Sequence, residues 1–368
     1  MTSPLFSPIK IKSMNIPNRI VMAPMTRSKS PGGVPGEDVA DYYARRAAAD
    51  VGLIVTEGTT VKRGGSSNDP NVPNFYQPDS LAGWKRVVEK VHAEKGLIAP
   101  QLWHQGMMRK PGTGPNPDAP TDSPSGVTHS GKQVFDPPSS AEVDDMVMAY
   151  ANAAGEAVRL GFDAIEIHGA HGYLIDEFFW DVMNKRDDRF GGSLPERATF
   201  AGDIIRETRK QVGPDTAIIL RFSQWKQQDY TARLAQTPAE FEAFLKVFVD
   251  AGVDVLHASQ RRYWEPEFPD VDGENGLNTA AWAKKLTGLP SITVGSVGLT
   301  GDFEKAFRGE GATVRRLDDL EERLDKGEFD MVAVGRALLQ DPDWATKVRE
   351  GRSDELKDYD AKSLAVLY

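Results

Sequence analysis

The sequence predicts an α/β protein built as a single (β/α)8 barrel, a TIM barrel. Three observations predict this fold: the length of 368 residues, eight short apolar runs, and stretches with helical spacing between them. About 250 residues are typical of such a barrel, which often carries insertions. Near-continuous apolar runs are typical of parallel strands covered on both faces. A doubly wound open sheet is the structural alternative, but no Gly-x-Gly-x-x-Gly follows the first run.

Each of the eight predicted strands ends in small or polar residues. They cover residues 19–24, 51–58, 96–104, 161–168, 216–223, 251–259, 289–296 and 329–336. Clear helical spacing lies between several of them, over residues 81–95, 141–160, 195–212 and 238–250. The last two stretches begin with Pro195 and Pro238, and proline is favoured in the first turn of a helix. This alternation predicts parallel strands joined by helices.

Residues 1–368 are predicted to form one domain, and three segments exceed the eight strand–helix units. Residues 1–18 are predicted to be an N-terminal hairpin lid that plugs the bottom of the barrel. Residues 105–140, rich in proline, glycine and serine, are predicted to cap the barrel after the third strand. A further loop, residues 170–194, follows the fourth strand. Long loops after strands form the catalytic face of such barrels.

The composition excludes several classes of function. The chain has no cysteine, which excludes disulfides, thiolate nucleophiles, iron–sulfur clusters and thiolate zinc sites. A net charge of −10 argues against nucleic acid or an anionic membrane as partner. No apolar run approaches the roughly 18 to 20 residues of a membrane span, and the N-terminus lacks the apolar centre of a signal peptide. We therefore expect a soluble, reduced, cytoplasmic protein of the size of an enzyme.

The last two predicted strands end in glycine turns that suit a phosphate. Gly295 and Ser296 follow one strand, and Gly335 and Arg336 follow the next. Glycines let backbone N–H groups approach phosphate oxygens, and an arginine adds a fork of donors. Barrels commonly bind phosphate at this place. Packing glycines and a surface arginine are the alternative.

Two polar residues on other strands suit a heterocycle. Arg221 lies within an apolar strand, where a cation requires an anion or well-placed acceptors. Gln101 carries both a donor and an acceptor, which suits the edge of a ring. Structural hydrogen bonds or a salt bridge between strands are the alternative for each residue. Together with the phosphate site, they suggest flavin mononucleotide (FMN).

The fourth predicted strand ends in a turn with three groups that can act on a substrate. His168 and His171 can both donate to one carbonyl or nitro oxygen of a substrate, and Tyr173 can give a proton to a neighbouring carbon. The alternative is a metal site formed by the same two histidines with Glu166, as in a metal-dependent barrel lyase or hydrolase.

The sequence also resembles a known family over essentially its whole length. The motifs that carry the resemblance are Ala23-Pro-Met-Thr-Arg27, Thr56-Glu-Gly-Thr59, Gln101-Leu-Trp-His-Gln-Gly106, His168-Gly-Ala-His-Gly-Tyr-Leu174, Asp188-Arg-Phe-Gly-Gly192, Arg221-Phe-Ser223 and Gly335-Arg-Ala-Leu-Leu-Gln-Asp-Pro-Asp343. In this order and spacing, the chain is similar to the Old Yellow Enzyme family of FMN-dependent ene-reductases.

The resemblance implies a role for each matching residue. His168 and His171 would bind the activating oxygen of the substrate, Tyr173 would be the proton donor, and Trp103 would form a wall of the pocket. The residues that would bind FMN, with no metal, are Pro24, Met25, Thr26, Gly58, Gln101, Arg221, Gly295, Ser296, Gly335 and Arg336.

The resemblance also implies the reaction. NADPH or NADH would reduce the flavin, which would then reduce the C=C bond of an electron-poor alkene such as an α,β-unsaturated carbonyl compound, a maleimide or a nitroalkene. The implied assembly is a monomer or a homodimer.

The sequence departs from the family pattern in a few places. Met107 and Met108 stand where relatives often continue directly with arginine, and His171 stands where many carry asparagine. Tyr359 and Tyr368 are the candidates for the aromatic residue that closes the pocket from the C-terminal region. The residues that could line the entrance are Arg261, Arg262, Tyr263 and Trp264.

Overall fold

The computed structural model describes residues 3–302 and 308–368. It confirms the predicted (β/α)8 barrel of eight parallel strands. The barrel strands are β3 (Ile20–Met22), β4 (Leu53–Thr60), β5 (Ile98–Trp103), β6 (Ala164–His171), β7 (Ala217–Lys226), β8 (Val255–Ser259), β9 (Ser291–Val294) and β10 (Met331–Val334). They close in the order β10-β3-β4-β5-β6-β7-β8-β9, and neighbouring strands pair in parallel.

The N-terminal segment contains the predicted hairpin, formed by β1 (Ile9–Ile11) and β2 (Met14–Ile16), which pair antiparallel. Its buried side chains Ile11, Met14 and Ile16 belong to the same apolar cluster as residues of the barrel strands such as Leu53 and Ile219. Burial of this apolar surface stabilises the hairpin against the barrel. Residues 1 and 2 of the predicted segment lie outside the described residues.

Helices follow most of the strands and cover the outside of the barrel. They are Glu37–Ala48, Pro78–Ala93, Ser140–Leu160, Leu174–Phe179, Leu194–Arg197, Thr199–Val212, Pro238–Ala251, Pro269–Asp272, Thr279–Thr287, Asp318–Asp325, Arg336–Gln340 and Trp344–Arg349. No helix in the described part of the chain is long and apolar enough to cross a membrane.

Two helices differ from the sequence pattern at their first turns. The helix predicted to start at residue 81 begins at Pro78, because the first turn is polar and the apolar spacing starts one turn later. The predicted helix 195–212 is divided into Leu194–Arg197 and Thr199–Val212. Ser193 and Glu196 form a capping box at the first of these, which begins that short helix.

A buried polar cluster attaches the segment after β5 to the barrel. Asp122 accepts hydrogen bonds from the guanidinium of Arg63, at 2.7 and 2.9 Å, and lies 2.9 Å from Nε2 of His104. Burial acts to raise the pKa of Asp122, but the hydrogen bonds from Arg63 and His104 outweigh it and hold that pKa well below its ordinary value. His104, a polar strand-end residue, therefore holds the capping segment in place.

Candidate active site

A cavity of about 440 Å³ opens at the carboxyl ends of the barrel strands. This volume is within the range of small-molecule sites. All the site residues predicted from the sequence line it: Pro24, Met25, Thr26, Gly58, Gln101, Trp103, His168, His171, Tyr173, Arg221, Gly295, Ser296, Gly335 and Arg336. Parallel strands bring these residues together because all eight strands end on the same side of the barrel.

Two of the lining glycines are required by close contacts. A Cβ on Gly58 would lie 3.2 Å from the ring of Trp103, and one on Gly295 would lie 2.7 Å from the carbonyl oxygen of Gln260. Gly295 also has a φ of +147°, a backbone angle that residues with a side chain rarely adopt. A side chain at either position would therefore displace a neighbour that also lines the cavity, Trp103 or Gln260.

The carboxyl end of β6 carries both histidines of the site, and the turn that follows it is fixed by a buried ion pair. His171 has a φ of +68°, which is uncommon outside glycine. Asp176 accepts a hydrogen bond from the backbone N–H of Gly172 at 2.8 Å and pairs with Nζ of Lys226 at 2.6 Å. The Asp176 and Lys226 side chains are fully buried, so the pair holds the turn rigidly. In the sequence, each member of this pair is a charged residue within an apolar stretch, Asp176 in the helix Leu174–Phe179 and Lys226 in β7.

Three rings from the end of β6 and the turn after it form one wall of the cavity. The ring of His168 lies 5.1 Å from those of His171 and Tyr173, at 85° to each. Trp103 continues the wall, with its ring 5.1 Å from that of Tyr173 at 88°. The predicted substrate-binding residues are therefore neighbours in space.

Both imidazoles are neutral at physiological pH. Burial lowers the pKa of His168 and of His171 well below the ordinary value, and the charge of Arg221 lowers them further. Nδ1 of His168 lies 3.3 Å from the backbone N–H of Ala170, from which it accepts a hydrogen bond. A neutral imidazole that accepts at Nδ1 carries its proton on Nε2, so His168 offers one N–H donor.

The phenol of Tyr173 keeps its proton. Burial raises its pKa above the ordinary value, and a hydrogen bond with Gln227 opposes that rise without reversing it. A protonated phenol beside two neutral imidazoles can donate a proton, whereas a phenolate could only accept one. Gln227 was not singled out from the sequence.

Ser259 connects the histidine wall to the buried cation. Its Oγ lies 2.7 Å from Nε2 of His171 and accepts a hydrogen bond from Nη2 of Arg221 at 3.2 Å. Trp225 supports the same place, because its ring stacks on that of His171 with centroids 4.8 Å apart. Neither Ser259 nor Trp225 was selected from the sequence, because serine and tryptophan at strand ends carry no specific signal.

The alternative metal site with Glu166 is not supported. The Glu166 carboxylate accepts from Nε2 of Gln101 at 2.8 Å and lies 2.6 Å from Nδ1 of His257. Its oxygens are thus engaged below the cavity rather than directed to His168 and His171. No group of three or more potential metal-ligating side chains occurs in residues 3–302 and 308–368.

Arg336 and Ser296 make contacts within the chain. The guanidinium of Arg336 donates to the carbonyl oxygens of Gly301 and Asp302, and Ser296 Oγ donates to the carbonyls of Arg261 and Gly301. Both residues still line the cavity. Their role toward a phosphate stays a prediction.

The C-terminal region supplies another part of the cavity wall. Tyr359 and Leu364 line the cavity, whereas Tyr368 is 63% exposed and does not.

Of the predicted entrance residues, Arg261 lines the cavity. Arg262 pairs with Glu265 and Asp302, and Tyr263 donates a hydrogen bond to Asp319. Trp264 is not among the lining residues, nor are Met107 and Met108.

These residues fit FMN. The site contains a buried guanidinium, Arg221, whose Nε has no partner in the described part of the chain. The amide of Gln101, the hydroxyl of Thr26 and the glycine turns after β9 and β10 line the same cavity. A ring with adjacent carbonyl and N–H groups, joined to a phosphate, matches this set of donors and acceptors.

Comparisons with known proteins agree with this fit. Residues 4–355 match the family described as "NADH:flavin oxidoreductase / NADH oxidase family". The chain is 32% identical to 12-oxophytodienoate reductase 7 of Oryza sativa subsp. japonica over 94% of this chain and 88% of that protein.

Comparison with solved structures agrees with this family match. Morphinone reductase in complex with tetrahydroNAD is similar with a TM-score of 0.78 and 27% identity, covering 98% of this chain and 93% of that one. The Old Yellow Enzyme homologue from Zymomonas mobilis is similar with a TM-score of 0.77 and 26% identity, covering 98% and 96%.

The family match extends over nearly the whole chain and includes the strand ends that line the cavity. The chain is therefore a flavoprotein oxidoreductase with FMN and a nicotinamide nucleotide as cofactors, and it belongs to the NADH:flavin oxidoreductase / NADH oxidase family, the family of Old Yellow Enzyme.

Proposed function

We propose that this enzyme uses NADPH or NADH to reduce the C=C bond of electron-poor alkenes, namely α,β-unsaturated carbonyl compounds, maleimides and nitroalkenes. The observation that carries the proposal is the neutral imidazole pair, His168 and His171, beside the protonated phenol of Tyr173. These groups provide donors for an oxygen and a proton for a carbon within one wall of the cavity.

The two histidines bind the activating oxygen of the alkene. Neutral N–H donors in a buried site stabilise the negative charge that develops on a carbonyl or nitro oxygen. They also orient the alkene, since an oxygen held by two donors has a defined direction. Trp103 limits the cavity on the side of Tyr173, since it lines the cavity and its ring lies 5.1 Å from that of Tyr173.

The cofactor residues act on two parts of FMN. Gln101, Arg221 and Thr26 would hold the polar edge of the ring, Pro24, Met25 and Gly58 would pack against the ring, and Gly295, Ser296, Gly335 and Arg336 would bind the phosphate. FMN, when bound, supplies the hydride chemistry that connects the nicotinamide nucleotide to the alkene. The buried cation Arg221 would favour electron-rich forms of the bound ring.

Tyr173 donates the proton that completes the reduction. Its phenol lies next to the oxygen-binding imidazoles, so a bound alkene presents its α-carbon to this side of the cavity. General-acid catalysis of this kind contributes about 10²- to 10⁴-fold to the rate.

Two compared proteins support a carbonyl-bearing substrate. Their names describe them as reductases of 12-oxophytodienoate and of morphinone, both of which are carbonyl compounds. We further propose that the protein is cytoplasmic, that residues 1–368 act as one domain, and that the enzyme acts as a monomer or homodimer.

Nucleotide oxidation coupled to alkene loss tests the function. The FMN-loaded enzyme is mixed without oxygen with NADPH or NADH and 2-cyclohexen-1-one or N-methylmaleimide, and the saturated product is quantified. We expect one saturated product per nucleotide oxidised, and no turnover with cyclohexanone, which lacks the C=C bond. Nucleotide oxidation without any saturated product from a panel of such alkenes would contradict the proposal.

A further inference from the structure

Three side chains form a continuous hydrogen-bonded chain across the barrel just below the cavity. Gln101 on β5 donates through Nε2 to Oε1 of Glu166 on β6 at 2.8 Å. Oε2 of Glu166 lies 2.6 Å from Nδ1 of His257 on β8. Glu166 and His257 are fully buried and Gln101 is 3% exposed. Because β6 and β8 are separated by β7, this connection crosses the barrel interior.

The carboxylate decides which end of the Gln101 amide faces the cavity. A carboxylate oxygen only accepts hydrogen bonds, so the NH₂ group of Gln101 must face Glu166. The amide cannot turn by 180° without placing two acceptor oxygens at hydrogen-bond distance. The carbonyl oxygen Oε1 of Gln101 is therefore the end left for a ligand in the cavity that Gln101 lines.

The carboxylate is itself fixed from the other side. His257 is the partner of its second oxygen, and burial lowers the pKa of Arg221 while the charge of Glu166 opposes that change, so the two buried charges compensate each other. Buried charges require such compensation, and breaking one partner of the set is costly. Glu166 therefore has one arrangement, and so does the amide that it orients.

We propose that Glu166 is a positioning residue that selects the flavin ring by orienting Gln101 as a hydrogen-bond acceptor for the ring's imide N3–H. An acceptor from Gln101 and donors from Arg221 in the same cavity match an N–H flanked by carbonyl groups. The inference rests on the proposed placement of the ring beside Gln101, and it is independent of the alkene reaction.

The hydrogen bond at N3 can be observed directly by NMR. The enzyme is loaded with FMN labelled with ¹⁵N at N3, and the N3–H signal and its exchange with water are recorded. We expect a slowly exchanging N3–H in the unmodified enzyme. In Glu166→Leu the amide is free to turn, so the N3–H should exchange at least 10-fold faster. Glu166→Asp, which is shorter and keeps the charge, should act in the same direction and serves if the leucine variant does not fold.

Affinity gives a second readout. Both Glu166 variants should bind FMN and riboflavin more weakly by about the same factor, on the order of 10-fold, because one hydrogen bond to the ring is lost. His257→Asn is the matched control, since its amide retains a donor near Oε2 and leaves the Glu166–Gln101 contact in place. It should keep the slowly exchanging N3–H.

Gln101→Leu separates this inference from the proposed ring placement. If Gln101→Leu accelerates N3–H exchange but neither Glu166 variant does, the role of Glu166 is overturned while the ring placement stands. If Gln101→Leu leaves the exchange unchanged, the ring does not lie beside Gln101, and both the ring placement and the role of Glu166 are overturned. Weaker binding of FMN with unchanged binding of riboflavin in the Glu166 variants would also overturn the inference.

Discussion

Nε2 of His171 lies 2.7 Å from Oγ of Ser259, the same oxygen that accepts a hydrogen bond from Arg221. The residue proposed to bind the substrate and the residue proposed to bind the flavin ring thus share one hydroxyl group. We predict that Ser259→Ala weakens binding of a phenolic ligand about 3- to 10-fold, because His171 loses the hydrogen bond that orients it. Titration of the flavin absorbance with 4-hydroxybenzaldehyde measures this. Ser259→Thr retains the hydroxyl and should bind the ligand normally; equal affinity in the alanine variant would exclude the orienting role.

The histidine pair should determine the affinity for an oxygen-bearing ligand. We predict that His168→Ala and His171→Ala each weaken binding of the same phenol roughly 10- to 100-fold, since each removes a hydrogen bond to a charged or strongly polarised oxygen. His92→Ala is the control, because His92 lies on the outside of the barrel, 2.9 Å from Asp163. Unchanged affinity in both site variants would count against oxygen binding by these imidazoles.

The proton donor should matter in only one half of the catalytic cycle. We predict that Tyr173→Phe slows alkene reduction by about 10²- to 10⁴-fold, the range of general-acid catalysis, and leaves reduction of the enzyme by the nucleotide unchanged. Stopped-flow measurement of the two half-reactions separates these effects. Tyr76→Phe, at a half-buried tyrosine outside the cavity, should alter neither rate. Equal losses in both halves for Tyr173→Phe would refute the role.

Glu57 should make stability depend on pH. Its carboxylate accepts backbone hydrogen bonds from Arg27 at 2.8 Å and Ser28 at 3.4 Å, which holds the loop that carries Thr26. Burial raises the pKa of Glu57 from 4.5 to about 7, although these hydrogen bonds and the charge of Arg27 oppose the rise. Because the folded state binds this proton more tightly than the unfolded state, the stabilisation is complete below pH 4.5 and is lost as the pH rises through 7.

Glu57→Gln tests this dependence because glutamine does not ionise. We predict that the free energy of unfolding of the variant, minus that of the unmodified enzyme, increases between pH 5 and pH 8 by up to about 3 kcal/mol. This is the free energy that corresponds to the pKa shift of Glu57. Urea unfolding at several pH values measures the difference. Glu89→Gln, at an exposed helix position, is the control. A difference that is independent of pH would show that Glu57 does not titrate in this range.

Arg27 should hold the C-terminal wall of the cavity. Its guanidinium donates to the carbonyl oxygens of Ser363, Leu364 and Val366, and Leu364 lines the cavity. We predict that Arg27→Met releases this segment, because each of these hydrogen bonds to a charged group contributes about 1.5–3 kcal/mol. Hydrogen exchange of residues 361–368 should accelerate, and the KM for the alkene should rise. Protection equal to that of the unmodified enzyme would show that other contacts retain the segment.

The sequence alone determined the architecture and many of the residues that line the cavity. Eight apolar runs and their helices specify the closed barrel, and a closed parallel barrel brings every strand end to one face, so polar residues far apart in the chain could be assigned to one cavity. The motifs then identified the flavin and the roles expected around it.

Only the tertiary structure decided how those residues contact one another. The Glu166 carboxylate, which the sequence left open as a metal ligand, bonds Gln101 and reaches His257 across the barrel. Arg336, expected to face a phosphate, donates to the carbonyls of Gly301 and Asp302. Strand periodicity predicts which face of the sheet a residue occupies and how far along the strand it lies. Its hydrogen-bond partners, however, depend on barrel closure and side-chain rotamers, because these bring together residues of strands that are not neighbours in the sequence.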